Sequence, residues 1–199
     1  MYSKGQYSIV FVNPAIAPQM LASWTGFDKY RNQAKNVIIT PPFAQFQLVP
    51  DLQVNILEGK IELLWKQINK ENASQKLLPI AEDFLRTYEH NRMKAIGINS
   101  LGTVSDDSAV WKSKLLDEQS VNEIASQGNV NLVDSEVKLA FGTEKGIIYI
   151  RFTKAKQGSQ IDINYHIEKY NSNEEILDIF HNSIKYWEIG ERVASLCIK

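Results

Sequence analysis

The chain has 199 residues, with 22 Lys plus Arg against 23 Asp plus Glu and a formal net charge of −1. Apolar residues make up 44% and charged residues 23%, the balance of a soluble globular protein that can bury a core without disulfide or metal staples. Near-neutral charge removes the basic footprint that nucleic acid or an anionic membrane surface would require, and the single cysteine, Cys197, excludes an intrachain disulfide or a Cys-rich zinc cluster.

In chain order, Tyr7 to Val12 is a short β-type run. It is too brief for the apolar core of a signal peptide, and no later stretch has the length of a membrane span, so a cytoplasmic setting is expected. Asp28 is a helix cap for a short segment ending at Gln33. Thr40-Pro41-Pro42 punctuates the chain, and Phe46 and Leu48 then alternate with Gln45 and Gln47 as in a strand. Residues 52–65 read as a β-hairpin around Gly59. Leu52, Val54, Ile56, Ile61, Leu63 and Trp65 face one side, and Gln53, Asn55 and Glu62 face the other.

Residues 66–76 are polar and are expected to form a loop. A helix is expected from Leu77 to Glu89, with Pro79 confined to its first turn. Met93 to Val104 reads as a strand, and Val110 to Leu116 as a short helix. Strands at 136–141, 147–153 and 161–167, joined by short loops, make an antiparallel meander. Ser172 and Glu175 have capping-box spacing and start a helix whose stripe is Ile176, Phe180, Ile184 and Trp187, with Gly190 ending or interrupting it. The fold class is therefore α+β: an antiparallel sheet of hairpins and a C-terminal three-stranded meander, with amphipathic helices packed on one face. A single domain spans 1–199, with a two-part organisation about 1–90 and 91–199 sharing one sheet. The hairpins at 52–65 and 136–153, each with its helix, are a weak internal echo.

Catalytic motifs are lacking: there is no phosphate loop, nucleophile elbow or paired-histidine zinc motif. His166 and Glu168 share a strand face but continue the polar series Asp162, Asn164. Asp106 and Asp107 lie between serines and read as turn and cap residues. These four are the only acid–base candidates, and no metal or cofactor is implied. Arg86, Arg92 and Lys94 read as a solvated edge rather than a nucleic-acid site. Large amphipathic rings remain, and Trp111, Tyr149, Tyr165 and Trp187 are the candidate protein-binding residues, since such rings suit grooves and subunit interfaces.

About half of the chain carries a resemblance in outline. A helix leads into Met93-Lys94-Ala95-Ile96-Gly97-Ile98-Asn99-Ser100-Leu101, followed by the meander and by Tyr170-Asn171 before Glu174-Glu175-Ile176-Leu177-Asp178-Ile179-Phe180-His181. This pattern resembles a scattered group of bacterial proteins and, in outline, the SecB-type export chaperones. The resemblance implies an antiparallel sheet with helices on one face, a homo-oligomer, and binding of unfolded or partner polypeptide without catalysis. It carries over no functional residue. The expected function is a non-enzymatic, chaperone-like polypeptide-binding protein. The alternatives are a partner-specific adaptor, phage- or defence-related, or an enzyme with a site assembled from dispersed residues.

Overall fold

The computed structural model describes residues 2–14, 16, 18, 28–40, 42–87, 93–104, 119, 126–127, 136–154 and 159–198. Among them are nine strands: β1 (Tyr2–Val12), β2 (Asn36–Thr40), β3 (Phe43–Val49), β4 (Leu52–Leu57), β5 (Lys60–Trp65), β6 (Ala95–Val104), β7 (Glu136–Gly142), β8 (Gly146–Lys154) and β9 (Ser159–Ile167). The helices are α1 (Asp28–Gln33), α2 (Lys70–Thr87), α3 (Asn173–His181) and α4 (Ser183–Ile198). The strands form one sheet in the order β2-β3-β4-β5-β1-β6-β9-β8-β7, and every neighbouring pair is antiparallel. The chain is an α+β protein.

Strand alternation explains why one face is dry. A single apolar rung, Val37-Phe46-Val54-Leu63-Ile9-Ile98-Tyr165-Ile148-Phe141, crosses all nine strands in register. Its middle is buried beneath the helices, whereas the two end residues, Val37 at 40% and Phe141 at 37%, are exposed. The helix layer thus covers the centre of the sheet and leaves both edges open. Phe11 sits at the centre of that layer, 4.5 Å from Phe84 of α2 and 5.3 Å from Phe180 of α3, ring centre to ring centre.

Topology gives the internal echo a different pairing from the expected one. β1 and β6 form the central pair. Outward from it, β1-β5-β4-β3 on one side matches β6-β9-β8-β7 on the other, with β2 as an added edge. The last strand of each run, β5 or β9, pairs with the central strand and then feeds the helices that cover it. Hairpin 52–65 therefore corresponds in place to β8–β9, not to 136–153.

Two helix boundaries differ from the sequence reading. α2 begins at Lys70, within the segment expected to be a loop, and Asn69 caps it by accepting from the Asn72 N–H at 2.8 Å. Its first turns are polar, yet Ala73 and Ser74 are buried, and Ser74 meets Ser183 of α4 at 3.5 Å. Two small side chains let the helices approach, which a search for large apolar residues does not detect. Pro79 consequently lies well inside the helix rather than in its first turn.

The C-terminal helix is broken at Asn182, whose side-chain amide donates to the Asp178 carbonyl at 2.8 Å. That bond competes with continuation of the helix. Gly190 does not end α4 but lies inside it, at the point where a Cβ would come within 2.6 Å of Ile163 Cγ2 on β9. The glycine is a close-approach position between helix and sheet. Gly59, at φ +75, makes the tight β4–β5 turn that other residues rarely adopt. β2 has no apolar–polar alternation to mark it in the sequence, since Val37, Ile38 and Ile39 are consecutive, and all five of its residues are exposed.

The Ser172 half of the α3 capping box is present, and Glu175 reaches back one residue further, to Asn171 rather than to Ser172. Ser172 Oγ accepts from the Glu175 N–H at 3.3 Å, and the Glu175 carboxylate accepts from the Asn171 N–H at 2.9 Å and from Lys145 Nζ at 3.2 Å. The Asn171 N–H, followed by the Lys145 ammonium, holds the Glu175 carboxyl below its ordinary value of 4.5. A carboxyl lowered in the folded state contributes stability above its unfolded value and loses it as pH falls through the folded value. Thermal stability should therefore decline as pH drops below 4.5, and Glu175→Gln should flatten that part of the profile, as measured by melting temperature against pH.

Candidate functional site

The face of the sheet opposite the helices is built by the same alternation, one residue out of step. Its central rung reads Asn36-Gln47-Gln53-Leu64-Ser8-Asn99-Asn164-Tyr149-Ala140. Amides dominate it, where a simply solvated face would more often carry Lys and Glu. In the first half a neighbouring rung is internally satisfied. Gln45 Nε2 donates to Asn55 Oδ1 at 2.8 Å, and Asn55 Nδ2 donates to Glu62 Oε2 at 2.9 Å.

The second half is not satisfied in this way. A groove of about 510 Å³ runs from β5 across β1, β6, β9 and β8 to β7. Ser8, Asn99 and Asn164 line its floor, Glu62 and Leu64 one wall, and Tyr149, Arg151, Asp162 and Lys138 the other. Asn99 Nδ2 donates to Ser8 Oγ at 3.3 Å, but Asn99 Oδ1 and Asn164 Oδ1 are buried without a protein partner. Both oxygens surround Gly97, where a Cβ would lie 3.1 Å from Asn99 Oδ1 and 3.5 Å from Asn164 Oδ1. Neither oxygen accepts a hydrogen bond from the chain itself.

Arg151 and Asp162 pair at 2.5 Å along one wall and leave the groove with mixed charge. Tyr149, 42% exposed, supplies the large ring there, with His166 edge-on at a centroid distance of 6.2 Å.

The four candidate protein-binding residues separate. Tyr149 lies in the groove. Tyr165 and Trp187 are on the opposite side of the sheet, in the core at 5% and 1% exposure, because Tyr165 alternates with Asn164 and Trp187 lies on the inner face of α4. Both are nearly fully buried in this fold: Trp187 Nε1 donates to the Asn99 carbonyl at 2.8 Å, beneath the groove floor, and the Tyr165 hydroxyl donates to Thr143 Oγ1 at 2.8 Å. Trp111 lies outside the described residues.

Of the acid–base candidates, Asp106 and Asp107 also lie outside the described residues. His166 and Glu168 pair with each other at 2.9 Å near the end of β9. Among the described residues no group of three or more His, Cys, Asp or Glu could hold a metal ion. Among the described residues the shifted titratable groups lie in the helix layer, its loops and the β7–β8 turn, where Glu175 raises Lys145. Burial raises the Tyr30 hydroxyl, which also donates to Asp83, and burial alone pushes Tyr170 up to about 12. Burial likewise raises the Cys197 thiol, in the last turn of α4. No helix among the described residues is long and apolar enough to cross a membrane.

Ser8, Asn99 and Asn164 were not selected from sequence. The available signal was chemical: amides rather than charges at the outward positions of successive strands. No protein-family model matches the chain, and a search of curated proteins gives no match either.

Proposed function

We propose that the protein is a non-enzymatic, polypeptide-binding homo-oligomer, and that the amide-lined groove takes a short extended segment of its client. The observation that supports this reading is the open groove itself, floored by the amide side chains of Asn99 and Asn164, whose Oδ1 atoms accept no hydrogen bond from the chain. A peptide backbone presents N–H donors at regular intervals whatever its side chains are, so amide acceptors recognise chain rather than sequence. Tyr149 adds a rigid apolar contact of low entropy cost beside them. The mixed charge of Glu62, Lys138, Arg151 and Asp162 excludes neither acidic nor basic clients. A cytoplasmic setting fits a chain with one partly buried thiol.

The test is binding of a reduced, alkylated and therefore permanently unfolded polypeptide, followed by calorimetry. Tyr149→Ala should weaken binding by about tenfold, the loss expected of a contact worth ~1–2 kcal/mol. Gly97→Ala, which places a methyl group between the two acceptors, should weaken it as much. Both variants should melt within a few degrees of the parent. Equal affinity in parent and variants would reject the groove as the site.

A further inference from the structure

We infer that β2 is the oligomer interface, and that two copies of the chain join their sheets by antiparallel pairing of Asn36–Thr40 with itself. The inference rests on the oligomeric part of the reading above and names the surface that makes it. Among the described residues β2 is the outer strand on its side of the sheet, hydrogen-bonded only to β3. Its sequence, Asn-Val-Ile-Ile-Thr, holds four β-branched residues, with no charge and no proline. Val37, Ile38 and Ile39 are 40%, 40% and 48% exposed, the longest consecutive run of exposed large apolar side chains described. Within Asn36–Thr40 no lysine, proline or bulge interrupts it, and Lys35 and Pro41-Pro42 bound it directly on either side.

The opposite edge shows the contrast. β7 carries Glu136 and Lys138, paired at 2.6 Å, which guard it with charge. β7 carries charge within the strand, whereas β2 carries it only at its flank, on Lys35.

The occupant is set by self-complementarity. Turned about a two-fold axis through Ile38, β2 places Ile38 against the partner's Ile38, Val37 against the partner's Ile39, and Asn36 against the partner's Thr40. Apolar meets apolar and polar meets polar at every position. The flanking Lys35 residues are carried to opposite ends of the pair, so like charges stay apart. The register also continues the core. Val37 and Ile39 extend the helix-facing rows of Phe46 and Ala44, both fully buried, beyond the reach of the helix layer. The matching residues of a second copy would complete those rows from the other side. This arrangement is isologous and closes at two copies, leaving no edge of this kind for further growth.

Light scattering on the full chain over a concentration series should give twice the monomer mass. Ile38→Lys puts two ammonium groups face to face on the axis and should weaken the dimer about a hundredfold. The site is exposed, so the variant should keep the parent's circular dichroism, and its melting temperature should lose the parent's dependence on protein concentration. In a Cys197→Ser background, Ile38→Cys should link to its own copy on mild oxidation. Facing residues of an antiparallel pair lie about 4.5–5.5 Å apart at Cα, within the span of a disulfide. Asn36→Cys, which faces the partner's Thr40, should not link to itself.

A chain that stays monomeric, a dimer whose mass Ile38→Lys leaves unchanged, or a dimer in which Ile38→Cys stays unlinked would each overturn the inference. So would a monomer whose β2 edge pairs only with unfolded client, as shown by loss of client binding in Ile38→Lys. Groove and edge are separate surfaces. A dimer that ignores client contradicts only the polypeptide-binding part of the reading above, and a monomer whose Tyr149→Ala variant loses client contradicts this inference and the homo-oligomer part while leaving the groove as the client site.

Discussion

Trp187→Ala is expected to lower the unfolding free energy by about 3–5 kcal/mol, the range for removing a large buried ring. Trp187 is 1% exposed, lies against Tyr7 at a centroid distance of 4.8 Å, and donates to the Asn99 carbonyl at 2.8 Å. Removal leaves a cavity between α4 and β1 and takes the indole donor from the Asn99 carbonyl. Trp187→Phe separates these effects: it keeps most of the ring and deletes the donor, so it should cost ~1–3 kcal/mol. Urea denaturation of parent and both variants measures the difference. Because Asn99 forms the groove floor, Trp187→Phe should also weaken client binding while most of the fold persists. A Trp187→Ala loss below ~1 kcal/mol would mean that α4 is not packed as described.

Phe11→Ala should cost about as much, ~3–5 kcal/mol, and lower the melting temperature by on the order of 10 °C. Phe11 is fully buried on a central strand. It touches Phe84 from the helix that follows the first run of strands and Phe180 from the helix that follows the second. One side chain thus joins both structural halves. If the halves fold as one unit, the variant should keep a single transition at lower temperature. Two resolved transitions in the parent, with only one moved by Phe11→Ala, would mean that the halves unfold separately. A double-mutant cycle with Phe180→Ala should show coupling of ~0.5–1.5 kcal/mol from the edge-on ring pair.

Strands that alternate cleanly were legible from sequence. β4, β5, β8 and β9 each carry apolar residues at every second position, so Val54, Leu63, Ile150 and Ile163 could be placed in the core before their partners were known. The α3 cap was legible for a similar reason, since Ser172 and Glu175 act within one turn. What depended on distant partners was not. α2 starts early because Ala73 and Ser74 pack against α4, α4 continues through Gly190 because Ile163 comes close, and β2 exists because β3 pairs with it.

The groove was half legible. Tyr149 stands out as a ring on a polar strand face, but Tyr165 follows the apolar alternation into the core. Asn99 and Asn164 converge only through the β6–β9 register, which no local pattern specifies.

Titrating the protein with a permanently unfolded polypeptide, in parallel with Tyr149→Ala and Gly97→Ala, tests the central claim most directly. The account predicts saturable binding by the parent and about tenfold weaker binding by each variant at unchanged fold stability. Absence of binding by the parent, or binding that neither variant alters, would contradict it.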